Sequence, residues 1–401
     1  MIRLGIIGYG HRMTVFMTDA IPAAGVPYQV VGVVDPAEKV VRDRLHNWGV
    51  VDQKDVPFFP DLPTLVRQAK PDALLVGTGC WLHTPYAIEA AQFDLPLFLE
   101  KPVAVNMEQA TALEKAFRKT KCEVVVSFPL RVSPACTKVR ELIDADTVGH
   151  PEHVTGLNYV PYGTVYYGSG SYEALQGLFV QKATHDLDYM MYLMGSNITR
   201  VGAMGTYGRV FGGNKPAGLV CSKCDEAETC PESPQSRERN GTALGKNRDH
   251  MCLFSVDVGT PETGMCEDSS SCVVEFASGA HGIYTQVFYS RRDAARRGAI
   301  VSGYKGTVSF DWYKDEINVV HHHRPVSDKI SLNGGKSHFG GDHALARNFF
   351  ELVQGKVKRS RTPIEAGLAS IYACLAAKQS AETGKFVKDR KSTRLNSSLR
   401  T

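Results

Sequence analysis

Apolar runs and amphipathic segments alternate along the first third of the chain. Residues 2–8 read as a buried strand that ends in Gly8-Tyr9-Gly10-His11-Arg12-Met13. A helix-like segment follows to about residue 21, and 29–35 is a second apolar strand ending in an acid. Residues 37–47 read as a helix, 72–77 as a continuous apolar strand and 83–91 as a helix. A strand at 95–100, a helix at 107–118 and a strand at 123–127 continue the order. Strands alternating with helices imply right-handed crossovers, so about 1–125 is expected to form a doubly wound, mostly parallel sheet.

The pattern then changes. Residues 136–143 and 182–194 read as helices, and strand signals dominate from about 198 to 320. Residues 271–276, the turn Ala277-Ser278-Gly279 and residues 282–287 form a hairpin-like unit in a predominantly antiparallel sheet. Two helices follow. The second has a start signal in Thr362 as N-cap, Pro363 at the first position and Glu365 closing a capping box, with Gly384 as its stop. Residues 126–387 are therefore expected to form an α+β domain with an open sheet and a cysteine-rich insertion at 218–272.

Composition changes this picture little. A chain of 401 residues with 43% hydrophobic and 22% charged residues suits a globular protein of two or three domains. No apolar run is long enough to cross a bilayer, and residues 2–7 lack the order of a signal peptide, so a cytoplasmic protein is expected. The net charge of +4 lies entirely in residues 388–401, which hold five basic residues and one acid. A neutral body gives no support for nucleic-acid binding. The tail is polar and aperiodic, so disorder is expected. Its 390–398 stretch resembles translated sequencing-adapter sequence, an artefact of gene assembly.

The first strand-turn-helix carries candidate chemistry. Gly8 permits a tight turn, Gly10 lets the backbone approach a pyrophosphate, and the helix start supplies amide donors. Met13 occupies the third fingerprint position, where it is expected to push the helix off the strand. Asp35 ends the second strand, where a carboxylate bonds adenosine ribose hydroxyls and favours NAD over NADP. His11 and Arg12 are candidate phosphate contacts that keep NADP open. A second signal is Glu100-Lys101-Pro102 at the end of the 95–100 strand. A lysine fixed there reads as a catalytic or substrate-binding group.

Gly8-Tyr9-Gly10, the Gly77-Thr78-Gly79 to His83 segment and Glu100-Lys101-Pro102 together resemble the glucose–fructose oxidoreductase / inositol dehydrogenase / rhizopine-catabolism (Gfo/Idh/MocA) family. Arg131, His185-Asp186-Leu187-Asp188 and Gly306-Thr307-Val308 fit the same resemblance, which covers 2 to about 387. It implies a Rossmann domain followed by an α/β domain whose open sheet makes homo-oligomer contacts. It also implies NAD(P)-dependent oxidation or reduction of a sugar, sugar derivative or cyclitol. Lys101 and His185 are then the catalytic pair, His185 as base and Lys101 holding the hydroxyl. Thr78, His83 and Glu100 join Gly8, Gly10, His11, Arg12 and Asp35 on the cofactor side. Arg131, Tyr159, Gln181, Lys182 and Asp188 are substrate-side candidates, with Asn158 and Tyr162 nearby in sequence. Gln181, His185, Asp188 and Tyr192 are expected on one polar helix face. Gln181 stands where the family commonly has an acid, and glutamine takes no proton. Two other readings therefore stay open: a lyase or hydrolase using tightly held NAD for transient oxidation, and a non-catalytic nucleotide-binding protein.

Six of ten cysteines lie between 221 and 272. Cys221, Cys224, Cys230 and Cys252, with His250 as substitute, are the expected ligands of a tetrahedral zinc ion.

Overall fold

The computed structural model describes residues 1–48, 53, 55–161, 177–241, 249–258, 266–335 and 337–389. Tyr162, part of the cysteine-rich insertion and residues 390–401 of the expected tail lie outside the described residues. Two compact units form: Met1–Lys138 with Asn333–Tyr372, and Val139–Leu332 with the residues from Ala373 onward.

In the first unit, strands β1 (Ile2–Ile7), β2 (Tyr28–Val34), β3 (Ala73–Val76), β4 (Leu97–Leu99) and β5 (Val124–Val126) make one parallel sheet in the order β2-β1-β3-β4-β5. β3, β4 and β5 are buried along their whole length. That explains why they read as unbroken apolar runs rather than alternating ones. Phe98 of β4 stacks on Phe16 at 4.4 Å and meets Phe349 edge-on at 5.9 Å. The returning Gly341–Val353 helix thereby shares the core of strands more than two hundred residues earlier. A helix at Leu62–Ala69 was not expected from periodicity. Asp61 caps it, accepting from Thr64 N at 2.7 Å.

The second unit holds a nine-stranded sheet. Its strands are β6 (Pro151–Tyr159), β7 (Ile198–Thr206), β8 (Ser269–Phe276), β9 (His281–Val287), β10 (Arg296–Gly303), β11 (Gly306–Asp311), β12 (Glu316–His321), β13 (Ser327–Ser331) and β14 (Val387–Lys388). The order is β13-β12-β11-β10-β6-β9-β8-β7-β14, and of these neighbours only β6 and β9 run parallel. The expected hairpin is β8–β9, closed by Phe276 N to Ala280 O at 2.8 Å with Gly279 at φ +92°. β14 pairs with β7, and Asp389 N donates to Thr199 O, which draws Lys388 and Asp389 out of the expected tail. Tyr189 of the Ala183–Met194 helix donates to Gly298 O at 3.0 Å and packs edge-on against Trp312. That contact seats the helix on one face of the sheet.

One element start differs from expectation. The last long helix runs over Ile364–Thr383, and Pro363 O accepts its first bonds. Thr362 is therefore not the N-cap, and its Oγ1 has no hydrogen-bond partner. Its carbonyl instead accepts from Val126 N at 2.8 Å, so the end of β5 claims the residue.

Candidate active site

The glycine turn has the geometry its sequence demands. Gly8 sits at φ +77°, and a Cβ there would lie 2.6 Å from the Thr78 backbone. At Gly10 a Cβ would meet nothing nearer than Gly77 O at 3.6 Å, which leaves the turn open to a ligand's phosphates. The His11–Val15 helix starts immediately after it, with Thr14 N bonding Gly10 O at 2.9 Å. Asp35 accepts from Tyr9 N at 2.8 Å and Ala37 N at 2.9 Å, fixing its carboxylate beside the turn. An open glycine turn, a helix start and an oriented carboxylate fit a dinucleotide.

Met13 does not push the helix away. Its side chain is fully buried, and its Cε lies 2.5 Å from where a Cβ of Gly77 would be. The missing side chain at 77 makes the room that a small residue at 13 ordinarily makes.

The Glu-Lys-Pro corner is rigidly held. Glu100 is buried, accepting from Ser127 Oγ at 2.9 Å and Lys101 N at 3.3 Å. The Lys101–Pro102 peptide is cis. His83 is buried with Nδ1 2.8 Å from Pro102 O and Nε2 3.1 Å from Thr78 O, so it joins the turns after β3 and β4. Burial lowers its pKa below the usual imidazole range. Thr84 donates to Val103 O at 2.8 Å and completes the clamp. Trp81, also missed by sequence, is exposed over Gly79.

Arg12 has a different part from the expected phosphate contact. Its Nε meets Glu100 at 3.2 Å and its terminal nitrogens grip Asp342 at 2.5 and 3.0 Å. Asp342 is buried and also meets His338 Nδ1 at 2.8 Å. Burial alone raises the Asp342 pKa, but His338 and Arg12 outweigh it and hold the carboxyl well below the usual range. His11 is exposed and meets Trp48 edge-on at 5.4 Å. Arg131 is half-buried beyond β5.

The second unit carries the histidine-bearing segment. The expected continuous helix is broken: Leu178–Gln181 ends at Lys182 (φ −113°, ψ −48°), and Ala183–Met194 begins after it. Gln181 therefore ends the first short helix, while His185 and Asp188 lie on the second. The expected polar face is not solvent-facing either, since His185, Asp186 and Asp188 are all buried. Glu267 anchors the first piece by accepting from Leu178 N at 2.5 Å and Phe179 N at 3.4 Å. Burial raises its pKa despite those donors. Asp186 takes a bidentate pair from Arg297 at 3.0 Å, and accepts from Asn158 and from the Tyr284 hydroxyl at 2.9 Å each. Lys182 is 4% exposed. Burial first, then Arg297, pulls its pKa well below the ordinary lysine value, with Asp186 opposing. Tyr159 ends β6, half-buried and paired to Arg296 and Val287. Lys101 lies in the first unit and His185 in the second.

The zinc expectation is not met. Among the described residues no three His, Cys, Asp or Glu side chains stand close enough to hold a metal. Cys221 is buried, and burial first, then its neighbouring thiols, push its pKa up to about 12. His250 turns Nδ1 to Met251 O at 2.8 Å and Nε2 to Glu232 O at 3.2 Å.

Arg297, Glu267, Asp342 and His338 escaped the sequence reading. Each acts through a partner at least 88 positions away or belongs to a loop without periodicity; the Arg12–Asp342 contact spans 330 positions. Gly340-Gly341-Asp342 before an apolar helix was the one available signal.

Known proteins share this architecture. Residues 2–128 match a family described as an oxidoreductase family with an NAD-binding Rossmann fold, and 136–309 match the GFO/IDH/MocA C-terminal domain. YteT of Bacillus subtilis (strain 168) is 23% identical over 399 residues, covering 89% of each chain. The scyllo-inositol 2-dehydrogenase (NAD(+)) of the same organism is 27% identical over 208 residues, 51% of this chain and 56% of that one. A solved levoglucosan dehydrogenase in complex with NADH and levoglucosan superposes with a TM-score of 0.74 at 15% identity, over 97% of this chain and 99% of that one. An NAD-binding oxidoreductase from Klebsiella pneumoniae gives a TM-score of 0.70 at 18% identity, over 97% and 99%.

Proposed function

The chain belongs to the GFO/IDH/MocA oxidoreductase family, with its NAD-binding Rossmann fold, and from that premise we propose that it transfers a hydride between a nicotinamide dinucleotide and a hydroxyl-bearing carbon of a sugar, sugar derivative or cyclitol. The observation that carries this reading is the rigid Glu100-Lys101-Pro102 corner, tied through Arg12 to the helix of an open glycine turn. Gly8, Gly10 and the helix start would hold the pyrophosphate, and Asp35 the adenosine ribose, which favours NAD. Inositol dehydrogenases among the relatives support a polyol substrate. Bound nicotinamide supplies the hydride acceptor or donor.

The protein's own groups then manage the hydroxyl. Lys101 donates to the substrate oxygen and stabilises the charge that develops as the C–H bond breaks. His185 takes the hydroxyl proton. Asp186, clamped by Arg297, fixes the helix turn that carries His185, while Thr78, His83 and Glu100 hold the turns around the cofactor. Gln181 orients rather than titrates, and Arg131, Tyr159, Lys182 and Asp188 line the substrate side.

The test is a screen of sugars, uronic acids and inositols with NAD and with NADP, following net formation of reduced nucleotide. Lys101→Ala and His185→Ala are each expected to lower kcat about 10²–10⁴-fold with nucleotide binding retained. Turnover without net reduced nucleotide indicates transient oxidation instead. If neither variant changes any detected turnover, the enzyme reading fails.

A further inference from the structure

The segment before the Gly341–Val353 helix holds two consecutive non-glycine residues in the left-handed region, His338 at φ +43°, ψ +49° and Phe339 at φ +56°, ψ +38°. For such residues this conformation costs roughly 1–2 kcal/mol each. Strain of this kind persists only where the surroundings over-determine it, and it concentrates at ligand and catalytic sites. Here the surroundings are visible. A Cβ on Gly341 would collide with Pro129 O, and one on Gly340 would lie 3.3 Å from Pro134 Cδ. The loop is therefore wedged against the chain just beyond β5, at the carboxyl end of the first unit's sheet.

The imidazole it presents is aimed. Asp342, 1% exposed, accepts from His338 Nδ1 at 2.8 Å. A carboxylate only accepts, so Nδ1 carries the proton and Nε2 is the nitrogen turned to other groups. The side chain is 36% exposed, so a ligand can reach it. Through Asp342 and Arg12, His338 joins one chain of ion pairs that ends on Glu100. Position then assigns the ligand. Asp35 ends β2, at one edge of the sheet, and His338 lies beyond β5, at the other. A dinucleotide spread across the carboxyl ends with its adenosine at Asp35 brings its other half towards β4 and β5.

Resting on the dinucleotide reading above, we propose that His338, oriented by Asp342, is a binding residue for the nicotinamide end of the cofactor, its Nε2 hydrogen-bonding the carboxamide. The probes are NADH and ADP-ribose, which lacks the nicotinamide. Binding of each is titrated to the full chain and to His338→Ala and His338→Gly. Both variants are expected to bind NADH about tenfold more weakly and ADP-ribose within about twofold of wild type. His338→Gly also relieves the left-handed strain, so it is the folded control if the alanine variant misfolds. Unchanged NADH affinity, or an equal loss for both ligands, overturns the assignment while leaving the dinucleotide reading standing. Failure of wild type to bind either probe overturns both.

Discussion

Asp342 is the residue on which the charges of the first unit converge. Its carboxylate answers Arg12 and His338 from a buried position, and its pKa lies well below the ordinary value. A depressed carboxyl contributes stability that is full above its unfolded pKa and is lost as pH falls through the folded one. Asp342→Asn is therefore expected to destabilise at pH 7 by about 3–5 kcal/mol, since it takes from Arg12 and His338 the carboxylate they share. The gap between variant and wild type should narrow in acid, as wild type loses the same interaction. Urea unfolding across a pH series measures this; a gap independent of pH down to strong acid would contradict the pairing. Residue identity was legible here, but residue role was not. Arg12 follows a glycine turn, and local logic assigns such a cation to phosphates. Nothing near it in sequence shows that Glu100 and Asp342 claim it first.

At the scale of elements, Met13 and Gly77 show how a motif survives a broken position. The fingerprint wants a small residue on the helix so that helix and strand can close. Here the small residue sits across the contact, on the turn after β3. Gly77→Ala should strike Met13 and the Gly8 turn and destabilise by about 1–3 kcal/mol. Adding Met13→Ala should recover most of that loss in a melting experiment, together with nucleotide binding. Strictly additive losses would show that the two side chains do not share one space. The histidine segment teaches the opposite lesson. Periodicity placed Gln181 and His185 on one helix, and the helix order was right from 183 on. The break at Lys182 follows from Glu267, which fixes the N-terminus of the Leu178–Gln181 turn from 88–89 positions away. A distant carboxylate leaves no mark in a helical periodicity.

Among the described residues, the parallel sheet is covered on both faces and the larger sheet leaves apolar side chains exposed on one face. Val273 pairs with Ile283, Ile283 with Thr155 and Thr155 with Ile300, which forms one row across β8, β9, β6 and β10. Val273 is 46% exposed, and Ile283 and Ile300 are 39% each. An apolar row of this kind is a natural seat for a second copy of the chain. Light scattering is expected to give a mass above that of one chain. Ile283→Lys with Ile300→Lys should lower it while circular dichroism stays unchanged. A monomeric wild type would remove the expectation. Among the described residues no helix is long and apolar enough to cross a membrane.

The sequence by itself determined the parallel character of the first sheet, the mostly antiparallel character of the second, the glycine turn and the Glu-Lys-Pro corner. Those features are written in short-range signals: strand-length apolar runs, turn glycines, a proline after a lysine. Tertiary structure alone decided which of these distant charges meet, because the ion pairs Arg12–Asp342 and Asp186–Arg297 join residues 330 and 111 positions apart. Among the described residues, it brings no three metal-ligating side chains of the insertion together. Spacing along a chain fixes only which residues are able to approach; burial and competing hydrogen bonds select those that do.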